Sequence, residues 1–150
     1  MNKKMIFKIG GLLLCVFFFV LPLVQCSQDS SIKATGFQIA SGTGELMKEA
    51  EKSYPVAFVI LIIPIVLVIV AFKDKSFAVI RNVSIAGLAI KIIFMIVANS
   101  MLSKGDLGGA FVLTPFNWFV MVIYAGLVGF AQYCIKQENV DSAPPINKTE

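Results

Sequence analysis

The sequence predicts an all-α membrane protein: four transmembrane helices, both termini in the cytoplasm, and one polar extracytoplasmic loop. Three observations predict it. The 150 residues are 57% hydrophobic and only 15% charged, with a mean hydropathy of +0.84, whereas a soluble domain carries about 45–50% apolar and about 25% charged residues. The apolar residues are gathered into four runs separated by polar segments. Lys and Arg are divided unevenly between alternate connections, which is the asymmetry that sets orientation in a bilayer.

A span needs about 20 mainly apolar residues, because a rise of about 1.5 Å each has to cross about 30 Å of hydrocarbon. The first run, Ile9 to Val24, follows Lys3, Lys4 and Lys8. Residues 1–8 therefore read as a cytoplasmic N-terminus and 9–25 as the first helix. The loop 26–54 is polar and contains a mixed-charge stretch, Glu45 to Lys52, expected to form a solvated helix face. The second run, Pro55 to Phe72, carries no charge, and Pro64 at its middle removes one backbone hydrogen bond, so a kink is expected there. The carbonyl of Ile60 freed by that proline requires a partner from a neighbouring helix.

A basic turn, Lys73-Asp74-Lys75, precedes the third run, Ala78 to Ala98, which is interrupted by Arg81 and Lys91. A Gly-rich connection, Ser103 to Gly109, leads to Ala110–Leu113, expected along the membrane interface. Thr114-Pro115 then reads as a hydroxyl N-cap followed by proline at the first helical position. Leu113 and Trp118 stand at the positions of a hydrophobic staple, and Trp118 lies at interfacial depth. The last helix is expected over Pro115–Cys134 and completes a three-helix membrane core, 55–134. Residues 135–150, with Pro144-Pro145, read as a disordered cytoplasmic tail.

Orientation follows from counting basic residues. With the N-terminus inside, Lys3, Lys4, Lys8, Lys73, Lys75, Arg81, Lys136 and Lys148 are cytoplasmic, and only Lys33, Lys48, Lys52 and Lys104 are outside. The opposite orientation reverses the rule.

The N-terminal segment has a second reading. Leu23-Val24-Gln25-Cys26 loosely follows a lipobox after a positive start and an apolar stretch, which would make Cys26 a lipidation site above three spans. Gln25 stands where a small residue is required, so the uncleaved span is favoured. Pro22-Leu23-Val24-Gln25-Cys26 followed by Thr35-Gly36-Phe37-Gln38-Ile39-Ala40-Ser41-Gly42 resembles a pattern in small bacterial membrane proteins. In these, a first span ending in Pro and Cys is paired with a Thr-Gly-Phe-Gln type loop and three further spans. The resemblance implies four spans in the bacterial inner membrane, no lipidation at the cysteine, and no particular chemistry.

The absences are informative. There is no histidine, and Cys15, Cys26 and Cys134 are far apart without a CxxC pair. Metal, haem and thiol-redox sites need clustered ligands or paired sulfurs, so no metal or other cofactor is expected. No basic stripe with interleaved aromatics points to nucleic acid. Gly42-Thr43-Gly44 lacks the following lysine of a phosphate loop, and Thr35–Gly44 reads as a linker or docking loop with Phe37 and Ile39 at the membrane surface.

Lys91 is the sharpest feature. A lysine at the centre of a span costs about 2.5–3.5 kcal/mol, and its Ile and Phe neighbours offset this without removing the demand for polar surroundings. Ser84, Gly87, Lys91, Met95 and Ala98 share one helical face, small and polar enough to point inward. All nine acidic residues fall outside the apolar runs. Counting depth along the runs brings Pro64, Lys91 and Tyr124 to one level, so the Tyr124 hydroxyl and the Ile60 carbonyl are the expected partners of Lys91. Lys91, Tyr124 and Ser84 are the candidate ligand-binding residues for an anion or a lipid headgroup; the plainer reading is a structural hydrogen bond. Ala125, Gly126 and Gly129 permit close helix approach, expected within one chain rather than between two. The favoured reading is a non-catalytic accessory or envelope component in the lipid bilayer, partnered by another membrane protein or a second copy. The alternative is a small oligomeric transporter or channel built on Lys91 and Pro64. An enzyme lacks a supporting constellation.

Overall fold

The computed structural model describes residues 3–44, 54–73, 76–104 and 111–142. The expected helix Glu45–Lys52, Asp74 and Lys75 of the basic turn, most of the Gly-rich connection, and Pro144-Pro145 lie outside the described residues. The fold is mostly helical. Among the described residues the order is α1 (Lys3–Val20), β1 (Pro22–Cys26), β2 (Lys33–Thr35), α2 (Gly36–Ser41), a 3-10 turn (Pro55–Phe58), α3 (Val59–Phe72), α4 (Phe77–Lys104), β3 (Phe111–Leu113) and α5 (Phe116–Asp141). Two helices, Phe77–Ser100 within α4 and Phe116–Asp141, are long and apolar enough to cross a membrane. The uncharged 3-10 turn and α3 run end to end over 55–72.

The longer helices pack through stripes spaced alternately three and four residues apart. On α5 the buried stripe is Asn117, Val120, Tyr124, Leu127, Ala131 and Cys134. On α4 it is Phe77, Ile80, Ser84, Gly87 and Lys91. This period of about 3.5 is that of helices crossing at about +20°, where side chains of one helix enter holes of the next. Accordingly α1 packs on α3, α3 on α4, and α4 on α5. The faces turned away from these contacts are apolar: Ile62, Ile65 and Ile69 on α3, Ile93 and Ile96 on α4, and Phe119 and Val122 on α5 are all exposed.

One end gathers polar groups from helix termini. Lys3 Nζ donates to Gln137 Oε1 at 2.5 Å and Arg81 Nη1 to Gln132 Oε1 at 2.9 Å. Lys8 Nζ lies 4.5 Å from the centroid of Phe72. The start of α1, the end of α3, the start of α4 and the far half of α5 therefore meet at this end.

The opposite end corrects the all-α expectation. An antiparallel sheet of order β2-β1-β3 covers it, with Val24 opposite both Ala34 and Leu113 and Gln25 opposite Lys33 and Val112. The local cause is Pro22. The residue before a proline is driven out of the helical region, and the proline itself offers no N–H to continue α1. The last α1 turn closes with Leu21 N–H on the Phe17 carbonyl at 2.9 Å. The chain then extends, and a proline at the first position of a strand is tolerated there.

Thr35-Gly36-Phe37-Gln38 is no linker but a capping box. The Gln38 N–H donates to Thr35 Oγ1 at 3.3 Å, the Thr35 N–H donates to Gln38 Oε1 at 2.9 Å, and Gly42 closes α2 in the left-handed conformation. Gly36 admits the Phe18 ring, two of whose carbons would lie 2.5 Å from a Cβ there. Phe37 is half-exposed, its ring tilted against Phe19 and edge-on to Phe58, whereas Ile39 is buried rather than at the surface. The other departures concern helix lengths. Residues 135–141, expected within the disordered tail, continue α5, and α4 begins at Phe77 and extends to Lys104.

Candidate functional site

Lys91 is 1% exposed and projects from α4 toward the sheet-covered end. Its Nζ donates to Asn117 Oδ1 at 2.7 Å and lies 5.1 Å from the centroid of Phe94. Asn117 is itself fully buried in the first turn of α5, where its Nδ2 donates to the Leu23 carbonyl at 2.7 Å and to the Thr114 carbonyl at 3.0 Å. The Thr114 N–H donates to the same Leu23 carbonyl at 3.0 Å, and the Thr114 hydroxyl donates to the Pro22 carbonyl. The amide orientation is dictated by its surroundings: two carbonyls require the nitrogen and the ammonium requires the oxygen. The result is a continuous polar chain from the middle of α4, through the start of α5, to the central strand β1.

This arrangement alters several expectations. The partner of Lys91 is Asn117, not the Tyr124 hydroxyl or the Ile60 carbonyl. Pro64 lies within α3, as its place in the apolar run predicts, and is buried there. The Thr114 hydroxyl serves β1 instead of capping α5, because the Pro22 carbonyl lies within reach. Pro115 does stand in the helical conformation at the start of that helix. Leu113 packs on the outer apolar cluster, and Trp118 is 64% exposed.

Lys91, Tyr124, Pro64 and Ile60 nevertheless border one half-open cavity of about 20 Å³, lined also by Phe17 and Val120. Tyr124 is buried with its ring against Gly87; a Cβ at that glycine would lie 2.3 Å from Tyr124 Cε1. The Tyr124 hydroxyl makes no hydrogen bond to another described residue and, because no buried polar side-chain atom among these residues is left without a partner, it is accessible from the cavity. Ser84 shares the buried face of α4, but its hydroxyl donates to the Ile80 carbonyl one turn back, at 2.9 Å, and it does not line the cavity. Ala125, Gly126 and Gly129 face away from the other helices, and a Cβ on either glycine would meet nothing within 4 Å. The expected close approach within the chain does not occur there.

Cys26 ends β1, half-buried and with a free thiol, its N–H on the Ile32 carbonyl at 2.9 Å. No group of three or more His, Cys, Asp or Glu side chains able to hold a metal occurs among the described residues. No family model, curated protein or solved structure matches the chain.

Proposed function

We propose that the chain is a four-span membrane protein, with both termini in the cytoplasm of a bacterial cell, that acts as a non-catalytic accessory subunit presenting a small extracytoplasmic sheet. The observation that carries this reading is the apolar outer surface of the helices. Only 17% of the apolar window of α4 and 28% of that of α5 is buried, whereas a core helix of a soluble protein would be mostly covered. Aqueous exposure of so many Ile, Val and Phe side chains would be unfavourable by about 25 cal/mol per Å², and lipid removes that cost. The gathering of Lys3, Lys4, Lys8 and Arg81 at the end opposite the sheet fits the positive-inside orientation.

The accessory role rests on what the polar groups are used for. Lys91, Asn117 and Thr114, which an enzyme would spend on substrate, fasten the sheet to the helices instead. The uncleaved first span is supported in the same way. Processing before Cys26 would remove α1, with its buried Phe7, Leu14 and Phe18, and four of the five residues of β1.

Native mass spectrometry of the protein extracted from its own membrane in mild detergent tests the proposal. The expected result is the unprocessed chain bound to a second membrane protein. A chain that carries solute across proteoliposome membranes on its own would overturn it in favour of a transporter. Labelling of single cysteines placed at positions 33 and 137 tests the topology, with the first reactive from outside and the second only after permeabilisation.

A further inference from the structure

We propose that the cavity between Lys91 and Tyr124 binds a single halide-sized anion, chloride under physiological conditions. An ammonium carries three donors, and among the described residues Lys91 uses one of them on a neutral amide oxygen and has no acidic partner. A buried charge left with only neutral partners is unfavourable, and a counter-charge in a low-dielectric site offsets much of that penalty. None of the acidic side chains among the described residues, Asp29, Glu138 and Asp141, pairs with it, and the apolar runs of the sequence contain no carboxylate.

The cavity supplies the room and a second donor. Lys91 and Tyr124 are the polar side chains of its wall, facing it from α4 and α5, and the remaining wall is aliphatic and aromatic. The Tyr124 hydroxyl is accessible from the cavity and makes no hydrogen bond to another described residue. Donors without an acceptor, beside a cation, select an anion. The volume of about 20 Å³ selects its size. Such a space holds a water or little more, which matches a monatomic halide. The inference stands on this cavity alone and does not depend on the topology or the partner proposed above.

The test uses the full chain in detergent, with chloride, bromide and gluconate salts at equal ionic strength. Chloride NMR lines are expected to broaden on adding the wild-type protein and to sharpen again with bromide but not with gluconate. The unfolding midpoint is expected to rise by about 2–4 °C in halide relative to gluconate. Lys91→Met should abolish both effects, and Tyr124→Phe, which keeps the ring against Gly87, should weaken halide binding several-fold. Absence of broadening by the wild type overturns the proposal, because the cavity then holds water at most. A halide effect undiminished in Tyr124→Phe overturns it too, and decides the matter even where Lys91→Met does not fold.

Discussion

The Lys91 ammonium donates to the Asn117 side-chain oxygen at 2.7 Å, across twenty-six residues of sequence, and Asn117 passes the connection on to the Leu23 carbonyl of β1. A charged residue that is costly in a span is thereby turned into a fastener between two helices and the sheet above them. Asn117→Leu leaves the ammonium and the Leu23 carbonyl short of partners and should cost about 3 kcal/mol. Lys91→Met alone removes the charge and strands the amide oxygen. The double variant should be more stable than the sum of the single losses, by about 1 kcal/mol or more, because neither stranded group is then left. Thermal unfolding of the four proteins in one detergent measures the coupling; strict additivity would mean the bond contributes nothing.

Much of this fold is legible in the sequence, and the parts that are not have physical reasons. Apolar runs and their flanking lysines mark the helices because lipid demands long uninterrupted stretches. Lys91 stands out because a charge there has to be explained. Asn117 was missed, although it sits on the same stripe as Val120, Tyr124, Leu127, Ala131 and Cys134. A polar residue on an otherwise apolar period-3.5 stripe is the signal that finds it. The sheet was hidden because β1 continues the apolar run of α1 without a change in composition, and its partner β3 lies about ninety residues away. Thr35 and Gln38 stand out in the sequence only as part of the resemblance to a Thr-Gly-Phe-Gln type loop; their spacing of three is that of a capping box.

Two glycines predict opposite outcomes. A methyl group at Gly87 would come 2.3 Å from Tyr124 Cε1 and 2.8 Å from Ile63 Cγ2. Gly87→Ala should therefore displace the Tyr124 ring and lower stability by about 1–3 kcal/mol. Gly126 has nothing within 4 Å of an added Cβ. Gly126→Ala should leave the chain as stable as the wild type or more so, by up to about 1 kcal/mol, through reduced backbone freedom. Comparing the two unfolding midpoints checks the inward and outward assignments together. A loss at Gly126 equal to that at Gly87 would place another chain against α5.

The outer capping box sets a local stability. Thr35→Ala removes the acceptor for the Gln38 N–H and one half of the reciprocal pair, at about 1 kcal/mol. The loss should appear as faster amide exchange over Gly36–Ser41, with the helices α3 to α5 unaffected. Exchange spreading into α4 would show that α2 and the membrane helices unfold as one unit.

Asp29, in the turn between β1 and β2, has its carboxyl held below the ordinary carboxylate value by hydrogen bonding from Ser31, side chain and backbone, the N–H lying 2.9 Å away. A carboxyl depressed in the folded state stabilises the turn above its unfolded pKa of about 4, and that contribution is lost as pH falls through the lower, folded value. The Ser31 amide should accordingly be protected at neutral pH and lose protection only in acid, at a midpoint below that of a free aspartate. Asp29→Asn should flatten this dependence. The effect is confined to the turn because the carboxyl is fully exposed.

Cys26 separates the retained first helix from a lipidated N-terminus. Were the chain processed there, Phe7, Leu14 and Phe18 would leave both apolar clusters, and β2 and β3 would lose the strand that joins them. Pro22 and Leu23, whose carbonyls receive the Thr114 hydroxyl and the Asn117 amide, would be gone as well, leaving Lys91 bonded to an amide that itself has one partner fewer. Retention of α1 avoids all three losses. The intact mass from the native membrane is therefore expected to equal that of the full chain, and Cys26→Ser should leave both mass processing and membrane attachment unchanged. A mass lacking residues 1–25 and raised by acyl chains, abolished in Cys26→Ser, would show that the sheet and the Lys91 connection are dismantled in the mature protein.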